Sequence, residues 1–132
     1  MTDPRTTLEQ LKEAVRGFSR ERDWEQFHKP KDLLVALMCE LGELAEHVRY
    51  RTDAEITAAL ADPATLREFA HELADCLWLL LRLADVNGID LAAALREKLE
   101  LAAQKYPVDQ CHGRPDKYTA YRDGPVASPP DA

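Results

Sequence analysis

Basic residues are scarce: 17 Lys and Arg stand against 24 Asp and Glu, a net charge of -7 over 132 residues. Binders of nucleic-acid polymers carry a clustered basic excess, so that class is excluded. Small phosphorylated ligands are not, because acidic clusters hold divalent cations and those cations hold phosphates. Long apolar runs are also missing. The longest strictly apolar run, Cys76 to Leu81, falls far below the ~20 residues of a membrane-spanning helix. The polar start from Met1 to Gln10 lacks the apolar segment of a secretory signal. The three cysteines are odd in number and lack CxxC spacing, which disfavours a disulfide framework or a zinc site and points to the reducing cytoplasm. Period-two alternation and internal repeats are absent, so nothing speaks for a β-sheet.

Ala, Leu, Glu and Arg dominate instead, the composition of packed helices. Capping signals place four main helices and a short one. The first begins near Thr6 or Thr7, with Gln10 and Glu9 at capping-box spacing, and fades near Trp24. The second follows Pro30 and is expected over Asp32 to Tyr50. A short helix opens at the Thr52–Glu55 capping box and stops before Asp62-Pro63. The third runs from Thr65 to Asn87-Gly88, and the fourth from an Asp90 cap to Tyr106-Pro107. Short connections imply antiparallel packing, so the expected fold is all-α, of four-helix-bundle type and oligomeric. Residues 1–121 form one expected domain. Residues 122–132, rich in Pro, Gly and small polar residues, form an expected flexible tail.

Acids appear where apolar residues should be. On the second helix Leu33, Leu37, Leu44, Val48, Leu41, Leu34 and Met38 fill an arc of roughly 140°. Glu40 sits at its edge and Glu43 lies about 60° beyond. On the third, Glu72 borders a similar arc and Asp75 falls between Leu79 and Trp78. That helix is apolar nearly all round after Asp75, which marks it as central and gives Trp78, Leu79 and Leu81 a natural place in a subunit interface. The two pairs, Glu40-x2-Glu43 and Glu72-x2-Asp75, each set carboxylates one turn apart. Two such charges repel by roughly 3 kcal/mol at an effective dielectric near 20. Four together invite hard cations, with Mg²⁺ the abundant one. The bland alternative is a pair of solvated acidic helix faces.

The stretch Glu21-Arg22-Asp23-Trp24-Glu25-Gln26-Phe27-His28, the double acidic motif, and the closing Lys105-Tyr106-Pro107-Val108 and Lys117-Tyr118-Thr119 resemble the MazG-like nucleotide pyrophosphohydrolases. Within them the likeness is to the dCTP pyrophosphatase branch, over about Thr6 to Tyr121. It implies an all-α homotetramer, a dimer of dimers, that cleaves nucleoside triphosphates to monophosphate and pyrophosphate with Mg²⁺. By resemblance Glu40, Glu43, Glu72 and Asp75 ligate the metal, and Trp24 through His28 line the nucleotide pocket. Glu43 or Glu46 is the candidate general base. Lys98, Lys105, Arg114 and Lys117 are candidates to face the triphosphate, and Arg22 and Lys31 flank the pocket stretch.

Departures from the branch bear on the base rather than the metal. Val15 stands where the branch has a substrate-contacting histidine, Tyr50 for a stacking tryptophan, Leu79 for a tyrosine with Trp78 adjacent, and Ala102 for an asparagine. Plainer roles stay open: Trp24 as the end of an amphipathic face, His28 as a packing residue, the lysines as surface charges. Two other classes also fit parts of the pattern. Glu25-x2-His28 and Glu68-x2-His71 have the spacing of a di-iron carboxylate bundle, and a non-catalytic helical adaptor would leave the acids solvated.

Overall fold

A computed structural model describes residues 1–122 of the chain, and the tail expected at 122–132 lies outside the described residues from Asp123 onward. All regular elements among the described residues are helical. They fall into two compact units, Met1–Asp90 and the part from Leu91 onward.

In the first unit, α1 (Leu8–Glu21) begins at Thr7, whose hydroxyl accepts from Gln10 N while the Gln10 side chain returns to Thr7 N. Asp23 adopts a left-handed conformation (φ 54°) that Asp tolerates better than most residues. The chain turns there, and Gln26 Nε2 donates to Asp23 Oδ2 at 2.7 Å to hold a single 3-10 turn, Trp24–Gln26. Pro30 opens α2 (Pro30–Glu46) at a first-turn position where its missing N–H costs nothing. Rather than reaching Tyr50, α2 stops at Glu46. His47 N and Val48 N donate to Leu44 O and Ala45 O, tightening the last turn. The His47 ring meets Phe69 edge-on at 5.6 Å, and Tyr50 takes φ 60°.

The short helix α3 (Asp53–Leu60) has the expected Thr52–Glu55 capping box. Its successor α4 (Pro63–Val86) starts before the expected Thr65, because Asp62 is the N-cap, accepting from Thr65 N at 2.9 Å, with Pro63 in the first turn. The Asp-Pro pair thus ends one helix and begins the next. At its other end Gly88 (φ 64°) closes a Schellman motif, with Gly88 N to Asp85 O and Ile89 N to Ala84 O.

Helix α4 is the hub of this unit and packs against α1, α2 and α3. Leu33 and Leu37 from α2 and Cys76, Leu81 and Ala84 from α4 form the core. Leu81, expected to face a partner subunit, is buried within its own chain. Apolar side chains left open include Leu34, Met38 and Leu41 on α2, and Leu73, Leu77 and Leu80 on α4.

In the second unit α5 (Leu91–Lys105) starts after Asp90 and ends before Tyr106-Pro107, as expected from the bias of a pre-proline residue against helix. Two single-turn helices follow, α6 (Val108–Cys111) and α7 (Thr119–Arg122). Tyr106 and Tyr118 pack edge to face, ring centroids 6.1 Å apart.

Candidate active site

The acids on α2 and α4 converge. One carboxylate oxygen from each of Glu40, Glu43 and Glu72 lies within 4.8 Å of the others. Among the described residues no Lys or Arg side chain pairs with these acids or with Asp75. Burial, then the charges of Glu43, Asp75 and Glu72, push the Glu40 carboxyl above the ordinary glutamate range. Burial, then the charges of Glu40, Asp75 and Glu72, raise the neighbouring Cys76 thiol. Three oxygens at this separation form a negatively charged seat for a hard divalent cation; Asp75 stands outside this group, though its charge acts on Glu40 and both line the same cavity. By its donor chemistry the cluster fits Mg²⁺. Glu46, the other general-base candidate, accepts from Arg49 Nε at 3.0 Å instead.

Beside the acids opens a cavity of about 200 Å³. Glu40 and Asp75 belong to its wall, together with Trp24, His28, Trp78 and Arg82, and Leu79 adds an apolar patch. The break at Asp23 is what carries Trp24 here. Phe18 on α1 stands between the two indoles, edge to face with Trp24 at 5.9 Å and with Trp78 at 4.9 Å. Arg22, expected to flank the pocket, lies over the Phe18 ring at 3.5 Å. A cavity of this size suits one flat ring between aromatic walls, with the polar remainder of a ligand at the acidic end.

The residue missed from sequence is Arg82. Its side chain is only 5% exposed in the middle of α4. Nε donates to His28 Nδ1 at 2.9 Å, Nη1 to Asp85 Oδ2 at 2.7 Å, and Nη2 to Glu25 Oε1 at 3.4 Å. Asp85 also accepts from Arg16 Nε at 3.2 Å and Nη2 at 2.5 Å. The Arg16 hydrogen bond, followed by the charges of both arginines, holds the Asp85 carboxyl below the ordinary aspartate range. Burial and the Arg82 charge lower His28, against a smaller opposing effect of Glu25. The signal was available: Arg82 lies seven residues after Asp75, hence on the same face of the helix.

Other expected residues lie elsewhere. Tyr50 is 95% exposed, with the Arg49 guanidinium 5.1 Å above its ring, and it does not line the cavity. Lys98, Lys105 and Lys117 belong to the second unit and are exposed there, Lys105 Nζ lying 5.2 Å above the Tyr118 ring. Lys31 pairs with Asp32 at 3.4 Å. Of the pairs that suggested di-iron, Glu25 and His28 both bind Arg82, and His71 is exposed.

The rat protein dCTP pyrophosphatase 1 is 40% identical over 116 residues, spanning 88% of this chain and 68% of that protein. The chain belongs to the MazG-like nucleotide pyrophosphohydrolases, in the dCTP pyrophosphatase branch. Human dCTP pyrophosphatase 1 is 36% identical over 124 residues, 94% of this chain and 73% of its own length. The crystal structure of a pyrophosphatase from Archaeoglobus fulgidus has the same fold, with TM-score 0.70 and 35% identity over 76% of this chain and 92% of that one. No protein-family model matches the chain. Membership of the MazG-like family accounts for the all-helical architecture.

Proposed function

We propose that the chain is a Mg²⁺-dependent pyrophosphohydrolase that cleaves nucleoside triphosphates to monophosphate and pyrophosphate, with dCTP or a related pyrimidine deoxynucleotide as substrate. The observation that carries this is the meeting of Glu40, Glu43 and Glu72 beside an aromatic cavity that shares Glu40 and Asp75 with them. Family membership supports the reaction class.

Glu40, Glu43, Glu72 and Asp75 would hold the metal. When bound, a divalent ion neutralises phosphate oxygens and acidifies water for attack. The protein does the rest. Trp24 and Trp78 wall the base pocket, His28 donates to the base, and the wall shared with Glu40 brings the triphosphate to the acids. Glu43, the exposed member of the cluster, would accept the proton of the attacking water when relieved of direct ligation to the metal.

The assay offers all common dNTPs and NTPs with Mg²⁺ and separates pyrophosphate from orthophosphate. Pyrophosphate plus monophosphate is expected, with a pyrimidine dNTP turned over fastest. Orthophosphate as the only product would overturn the reading.

The homotetramer, a dimer of dimers, belongs to the same reading, as does a cytoplasmic location, which suits three free cysteines. The open stripe of Leu34, Met38 and Leu41 beside Leu73, Leu77 and Leu80 supports assembly, since such patches mark contact surfaces. Leu77→Glu with Leu80→Glu is expected to lower the mass measured by light scattering to that of a smaller species. An unchanged mass would place the interface elsewhere.

A further inference from the structure

Four kinds of polar group face the cavity: the indoles of Trp24 and Trp78, the imidazole of His28, the guanidinium of Arg82, and the carboxylates Glu40 and Asp75. A guanidinium N–H can only donate, so His28 Nδ1, which receives Arg82 Nε–H at 2.9 Å, must be the acceptor. Neutral imidazole then carries its proton on Nε2. With the carboxylates assigned to the metal under the proposed function, every remaining polar group on the wall is a donor.

We propose that Arg82 is a specificity-positioning residue: it fixes His28 as an Nε2–H donor and completes a donor-only edge that selects a base presenting adjacent acceptors. Cytosine offers N3 and O2 side by side. Uracil offers O2 beside an N3–H, which would meet a donor and leave both unsatisfied. Sites built on hydrogen bonds discriminate far more sharply than apolar ones of similar shape. The inference rests on the pyrophosphohydrolase reading and deepens it.

The position tolerates a test. In Arg82→Met, Asp85 keeps both contacts from Arg16, and Glu25 is partly exposed, so no buried charge is stranded. The experiment measures kcat and KM for dCTP and dUTP in the wild type, Arg82→Met and Arg82→Lys, and records the long-range ¹H–¹⁵N spectrum of His28 in each. The wild type is expected to prefer dCTP by at least about 10-fold in kcat/KM, with the His28 proton on Nε2. Arg82→Met should lose about 10-fold or more for dCTP, mainly through KM, so that the dCTP/dUTP ratio falls toward one and His28 loses its fixed tautomer. Arg82→Lys, which keeps the charge but not the fork, should also lose the preference.

A wild type indifferent to dCTP and dUTP, or a ratio unchanged in Arg82→Met, would overturn the inference while leaving pyrophosphate release intact. A wild-type proton on His28 Nδ1 would overturn it even if the variants failed to fold. Absence of pyrophosphate from every nucleotide would instead sink the underlying reaction.

Discussion

Glu40→Gln is expected to reduce pyrophosphate release by about 1,000-fold while leaving the fold intact. Glu40 is the acid common to the three-carboxylate cluster and the cavity. Its carboxyl is pushed up by burial and then by Glu43, Asp75 and Glu72, so the site binds it at a cost when no cation is present. Removing one negative charge should therefore raise thermal stability slightly in metal-free buffer, by about 1 kcal/mol for a partly exposed cluster. With saturating Mg²⁺ the order should reverse, since a ligand at 100 times its Kd stabilises by about 2.7 kcal/mol and the variant forgoes this. Product assays paired with thermal melts in chelator and in Mg²⁺ test both halves. Activity within 10-fold of wild type would remove Glu40 from the machinery.

Asp85→Ala is expected to cost about 3–5 kcal/mol of folding stability, because it strands a buried guanidinium. Arg82 and Asp85 have side chains 5% and 12% exposed and meet at 2.7 Å. Without Asp85, Arg82 keeps His28 and the longer contact to Glu25, neither of which replaces a buried carboxylate. Chemical denaturation should show the loss, and a change below 1 kcal/mol would contradict it. The same pair sets an acid limit. The Asp85 carboxyl lies below its ordinary range in the folded chain. Its contribution is thus complete above the unfolded aspartate pKa of about 3.9 and disappears as pH falls through the depressed folded value. Asp85→Asn should accordingly flatten the acid arm of the stability profile.

The five longer helices and their order were legible because capping chemistry is local, whereas the single-turn helices α6 and α7 were not. Thr7, Thr52 and Gly88 act as their neighbours in sequence imply. One misjudged end has a tertiary cause: α2 stops at Glu46, where His47 turns to pack on Phe69. The acid pairs were legible for the same reason as the caps. Carboxylates against an apolar arc break the pattern, and spacing of three puts them on one face. Attention to misplaced acids, however, hid a misplaced base. Arg82 directly follows the longest apolar run of the chain, on the face of Asp75, and while Asp85 three residues on is a local partner, no local signal names the partners on other elements. Glu25 and His28 lie 57 and 54 residues before it in sequence, and only the fold brings them together. Leu81 shows the converse. Periodicity suggested a subunit interface for it, whereas packing buries it within its own chain.

That Glu40, Glu43 and Glu72 form a divalent-cation site serving a triphosphate can be tested without turnover. Mn²⁺ is titrated into metal-free protein and followed by electron paramagnetic resonance, with and without a dCTP analogue that resists cleavage between the α- and β-phosphates. Wild-type protein should bind Mn²⁺ and hold it more tightly with the analogue. Glu72→Gln should lose at least about 10-fold in affinity. Equal Mn²⁺ binding by wild type and Glu72→Gln, unaffected by the analogue, would contradict the assignment.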